Sequence, residues 1–156
     1  MSVEALSVVV LLIPLAAAVF TARIRHADLA HAIGAIAMAA CTVLAVVVAI
    51  EVVGRGVAVQ GPHLRWLELG AFELGAGTFV DPLGAVMAVI VAALATLVLV
   101  FDAWYLRGDP LAARFPWQLC GFAFAMLGVV LADNLLMAFV AWELVGLGSY
   151  LLIGFW

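Results

Sequence analysis

Five stretches of this sequence, about residues 5–22, 32–53, 79–104, 115–132 and 134–156, are almost wholly apolar and long. A hydrocarbon core of ~30 Å needs ~20 apolar residues to be crossed by a helix. Lipid offers the backbone no hydrogen-bond partner, so each span must satisfy its own amides, and all five are predicted as helices. Composition leaves no water-soluble alternative: 69% of the 156 residues are hydrophobic and 10% charged, where an ordinary soluble domain has about 25% charged. The expected fold is an all-α membrane protein, a five-transmembrane-helix bundle forming a single membrane domain over residues 1–156.

The punctuation between spans supports these limits. Asp81-Pro82 offers an N-cap followed by proline in the first turn of span three, and Pro116 does the same for span four. Asp133-Asn134 breaks the chain and can cap span five, while Pro14 is expected to kink span one. Residues 54–78 form the one sizeable piece outside the spans. There W-L-E-L-G-A-F-E-L partly alternates around Gly70, which predicts a short extramembrane β-hairpin-like loop with Glu68 and Glu73 solvated. The opening S-V-E-A-L lacks the positive region of a secretory signal, so span one reads as a retained helix.

Arginine placement sets an expected orientation. Arg23 and Arg25 lie between spans one and two and Arg107 and Arg114 between three and four, against Arg55 and Arg65 in the long opposite loop. The positive-inside rule then puts the N-terminus outside and the end of helix five in the cytoplasm. Small residues at helical spacing, Gly34, Ala37, Cys41 and Ala45 on span two and Gly121, Ala125, Gly128 and Ala132 on span four, mark close helix contacts.

Several function classes find no support. The net charge is −4 with no basic run, which argues against nucleic acid as a partner. Cys41 and Cys120 sit inside apolar spans and read as small packing residues; His26, His31 and His63 are scattered over loops and helix ends without metal-ligand spacing. There is no cysteine cluster for iron–sulfur and no glycine-rich dinucleotide motif, so no redox site is expected in this chain.

The informative residue is Glu143. It lies nine residues, about 13 Å of helix, beyond Asn134, and so close to the middle of the bilayer. An ionisable side chain there costs about 2.5–3.5 kcal/mol on insertion scales, which makes it a candidate for proton or cation handling. The bland alternative is a neutral, hydrogen-bonded carboxylic acid that helps helices pack. Gly146 and Tyr150, one and two turns on, give that face a smaller, more polar character, so it is expected to face protein. Glu51 and Asp102, near span ends, are expected to reach headgroups.

The string D-N-L-L-M-A-F-V-A-W-E-L-V-G-L-G-S-Y-L-L-I-G-F-W, residues 133–156, resembles the fifth-helix signature of chain L of bacterial NADH-quinone oxidoreductase, respiratory complex I. F-V-D-P-L-G-A-V-M resembles the start of that family's third helix, and W-Y-L-R-G-D-P-L-A-A-R-F its next connection. The resemblance implies the N-terminal part of a proton-translocating, antiporter-like membrane-arm subunit of a bacterial plasma membrane. Glu143 matches the family's fifth-helix glutamate, which works with a lysine on a later helix, and Asp81 matches its third-helix aspartate, with capping an equally good role. By the same resemblance, NADH, FMN, iron–sulfur clusters and quinone belong to partner subunits, and the partners are other membrane-arm subunits, later helices and the lipid bilayer. The sequence stops at Trp156, ahead of the lysine-bearing helices, and reads as a piece of a longer subunit. Span three ends V-F-D-A-W-Y-L-R-G, without the histidine-containing stretch common in chain L. Multisubunit cation/proton antiporters and inorganic-carbon uptake complexes share much of this architecture, and either stays open, as does an inactive bundle that only packs against partners.

Overall fold

The computed structural model describes residues 2–69 and 72–156; at 65–69 and 72–74 it describes the backbone alone. The expected break at Gly70 and the side chains of Glu68 and Glu73 therefore lie outside the described residues. Among the described residues, five helices are long and apolar enough to cross a membrane, the fourth counted with the short 3-10 turn before it. They are α1 (Val3–Thr21), α2 (Ala27–Arg55), α3 (Pro82–Tyr105), α4 (Phe115–Val130) and α5 (Leu135–Ile153). The all-α membrane bundle expected from the sequence is the fold observed.

Local chemistry sets the helix ends. Asp81 caps α3, its Oδ1 accepting from Gly84 N at 2.6 Å, and Pro82 follows at the first helical position. That cap starts α3 three residues later than hydropathy suggested, because Phe79–Val80 are held as a strand. Asn134 caps α5 through a 2.9 Å bond from Met137 N. Gly56 closes α2 at φ 64°, a left-handed conformation that glycine adopts without strain.

Between α2 and α3 the chain makes two small antiparallel pairs. Strand β1 (Val59–Gln60) pairs with β4 (Phe79–Val80), and β2 (Leu64–Leu69) pairs with β3 (Phe72–Ala76), bulged between Arg65 and Leu67. Thr78 bridges to Ala132, and Phe79 N donates to Leu131 O at 2.9 Å, which ties this loop to the α4–α5 connection.

The most extensive contact in the bundle is between α2 and α3. On α2 the buried residues include His31, Gly34, Met38, Cys41, Ala45, Val48 and Val52, with Ala30 beside His31; on α3 they include Ala85, Ala88, Ala92, Ala95, Leu99 and Asp102. His31 to Val52 on α2 and Ala85 to Asp102 on α3 repeat at steps of three and four, the spacing of a continuous helix–helix seam. Alanines on α3 let the backbones approach closely, which is how helices associate in lipid, where burial of apolar surface gives no net drive. Ile36, Val43 and Ile50, at steps of seven on the other side of α2, are exposed and suit the lipid. α1 packs on α2 and α4, while α5 packs along α4 at the edge of the bundle.

Candidate functional site

α5 turns its small residues inward. Ala141 and Gly148 are its buried positions; a Cβ on Gly148 would meet Phe122 atoms at 3.1–3.3 Å, and one on Gly128 would meet the Ala141 Cβ at 3.0 Å. Glu143 lies two positions from both Ala141 and Val145, about 200° round the helix from each. It is therefore exposed on the far side, away from α4.

The expected protein-facing surface built on Glu143, Gly146 and Tyr150 is thus corrected within this chain. A Cβ at Gly146 would find nothing within 4 Å, and Tyr150 is 72% exposed. Close approach to α4 needs two glycine- or alanine-sized positions one heptad apart, and Ala141 and Gly148 supply them. The apolar residues around Glu143 are exposed as well: Trp142, Leu144 and Leu147. No hydrogen bond or ion pair among the described residues engages its carboxylate.

Asp81 sits elsewhere, at the opposite end of α3 from Asp102. Its Oδ1 is committed to the cap, and a Cβ on Gly84 would meet that atom at 2.9 Å and Val130 O at 3.2 Å, so the cap presses against the end of α4. The structure does not join Asp81 and Glu143 in one hydrogen-bonded group.

Two polar clusters escaped the sequence reading. At the loop end, Asp133 Oδ2 accepts from His63 Nδ1 at 2.7 Å, and Asn134 donates to Gly75 O at 2.9 Å, while the Ser7 and Thr78 hydroxyls lie 2.8 Å apart. At the other end, Asp102 does not reach headgroups. It is 5% exposed and lies 3.1 Å from His31 Nε2. The expectation failed because Asp102 shares the α3 seam register with Ala95 and Leu99, which faces α2 and not lipid. Glu51, by contrast, pairs with Arg55 at 2.7 Å on an exposed stretch of α2.

Residues 66–116 match the family model described as the N-terminus of NADH-ubiquinone oxidoreductase (complex I) chain 5. The chain is 45% identical over 93 residues to NAD(P)H-quinone oxidoreductase chain 5 of Synechocystis sp., a match covering 60% of this chain and 14% of the relative. It is 51% identical over 92 residues to the chloroplastic subunit 5 of Mesostigma viride (59% of this chain, 14% of the relative). A further chain 5, from Picosynechococcus sp., is 46% identical over 93 residues, again 60% of this chain and 14% of the relative. The matched stretch is thus about a seventh of each relative's length.

Proposed function

We propose, on the premise that this chain carries the N-terminal region of the complex I chain 5 family, that it forms part of a proton-translocating membrane-arm subunit of an NAD(P)H-quinone oxidoreductase. Glu143 is its proton carrier, and the exposed face of α5 is where further helices of the subunit dock.

The observation that carries this reading is the position of Glu143: an exposed carboxylate near mid-span, ringed by Trp142, Leu144 and Leu147. Left against lipid it would cost about 2.5–3.5 kcal/mol, so protein or water must cover that face. A covering helix that brings a cation would favour the carboxylate, and one that withdraws it would favour the acid. That alternation lets a side chain take up and release a proton in step with a distant event. The family resemblance supplies the lysine for this role, on a later helix.

In this scheme the redox groups sit in partner subunits, and this chain contributes only charge movement. Asp81 stays with its cap, and a proton role there is secondary. Arginines at the α1–α2 and α3–α4 connections support an orientation with the N-terminus outside and the end of α5 in the cytoplasm of a bacterial plasma membrane. Glu143→Gln in the intact oxidoreductase tests the proposal. Assembly and the mutant subunit's membrane content should be unchanged, while protons moved per quinone reduced should fall sharply. Undiminished pumping would overturn the role of Glu143.

A further inference from the structure

We propose that His31 and Asp102 form a proton-binding site at the end of the bundle where α2 begins and α3 ends, exchanging its proton with water through the cavity beside it. The site is independent of Glu143 and of the function proposed above.

The inference follows from which atoms can donate. His31 Nδ1 lies 2.8 Å from the carbonyl oxygen of Ala27, and a carbonyl only accepts, so Nδ1 carries a hydrogen. That leaves Nε2 facing Asp102 Oδ2 at 3.1 Å. Without a proton between them, two lone pairs would oppose each other in a buried contact, with a net negative charge. One proton removes both penalties. It gives either an imidazolium against a carboxylate or a neutral imidazole against a carboxylic acid, and the pair is neutral in each form. Burial enforces the requirement, since the two residues are 3% and 5% exposed and an unpaired buried charge is costly.

The geometry also gives the proton a route. A cavity of about 280 Å³ is lined by His31, Asp28, Leu106, Arg107 and Asp109 among others, and Asp28 and Arg107 are themselves exposed. Asp102 does not line it, so protons reach the carboxylate by way of the imidazole. The charged groups at this end of the bundle include the exposed Arg23, Arg25 and His26 of the α1–α2 connection. α2 adds Asp28, and the turn after α3 adds Arg107 and Asp109. The 3-10 turn packed on α2 adds Arg114, exposed, and α1 carries only Glu4, at its far end. α4 brings no charged side chain to this contact. Loss of the proton would put a buried negative charge in the last layer of the α2–α3 seam, so the proton also holds that seam closed.

Nitrogen-15 NMR of ring-labelled histidine in the full chain, reconstituted in phosphatidylcholine vesicles, tests the site, with the His31 signals assigned by their loss in His31→Gln. In the unmodified chain Nδ1 should remain protonated throughout. Nε2 should carry or share a proton at neutral pH and lose it in one step on alkalinisation, together with a carbonyl-13C change at Asp102. Asp102→Asn keeps the contact, because its amide can donate to Nε2. That variant should show no step and should bind one proton fewer per chain. A bare Nε2 beside an ionised Asp102 at neutral pH would overturn the proposal, as would an Nε2 titration unchanged in Asp102→Asn.

Discussion

Pro14 sits inside α1 and has no N–H, so the carbonyl of Val10 loses its partner four residues on. Cys41 takes its place from the neighbouring helix, donating from Sγ to Val10 O at 3.3 Å. A residue whose sequence context suggested only packing thus satisfies a backbone group in a region where lipid cannot. Cys41→Ala should destabilise the bundle by about 1 kcal/mol in reversible detergent unfolding, whereas Cys41→Ser should retain stability through a stronger donor. At the surface, Asp109 accepts from the Trp156 indole at 3.0 Å and from Leu111 N at 2.7 Å, and these bonds hold its carboxyl below the ordinary range. A depressed carboxylate stabilises the folded chain above its ordinary titration range, and that contribution is lost as pH falls through the depressed value. Trp156→Phe should therefore move the Asp109 carboxyl titration upward, read by carbon-13 NMR, with no change near neutral pH.

Helix contacts divide the glycines into two kinds. At Gly148 an added methyl would press on Phe122, including its backbone at 3.3 Å, whereas at Gly121 it would meet nothing within 4 Å. Gly148→Ala should loosen α5 from α4 and make the chain easier to cleave at the α4–α5 connection. Gly121→Ala should be neutral or stabilising by up to about 1 kcal/mol, because alanine is the better helix former. The stripe of small residues on α4 thus marks a true contact at Gly128 but not along its whole length. Hydropathy and spacing cannot tell a glycine beside a neighbour from one beside a groove. Only the placement of α1 and α5 separates them.

For the whole molecule, α5 leaves one side exposed at the edge of the bundle. Gly146 is open in this chain, one turn from Glu143. Gly146→Ala should leave the isolated chain as stable as before. In an assembled oxidoreductase of the kind proposed, the same change should reduce proton transfer if a helix covers Glu143 closely, measured as protons moved per quinone reduced. Equal pumping would mean that water, not a packed helix, lies over the carboxylate. The isolated bundle reconstituted in liposomes should show no Glu143-dependent proton flux, since one carboxylate on an outer face makes no path across.

Span number, helix type, the caps at Asp81 and Asn134 and the existence of the extramembrane hairpin were all legible in the sequence, because each depends on length, hydropathy or a neighbour within a few residues. Glu143 stood out for the same reason, as a lone acid in an apolar run. Which way it points was not legible: the choice of contact face on α5 depends on whether Ala141 and Gly148 or Gly146 meets the surface of α4. The His31–Asp102 pair was half legible, since His31 lies on the three-and-four spacing of Gly34, Met38 and Cys41, and Asp102 on that of Ala95 and Leu99. Their meeting required the antiparallel register of α2 against α3. Hydropathy and local hydrogen bonding are properties of a segment and can be read along it, whereas a contact between residues 71 positions apart exists only once the helices are docked.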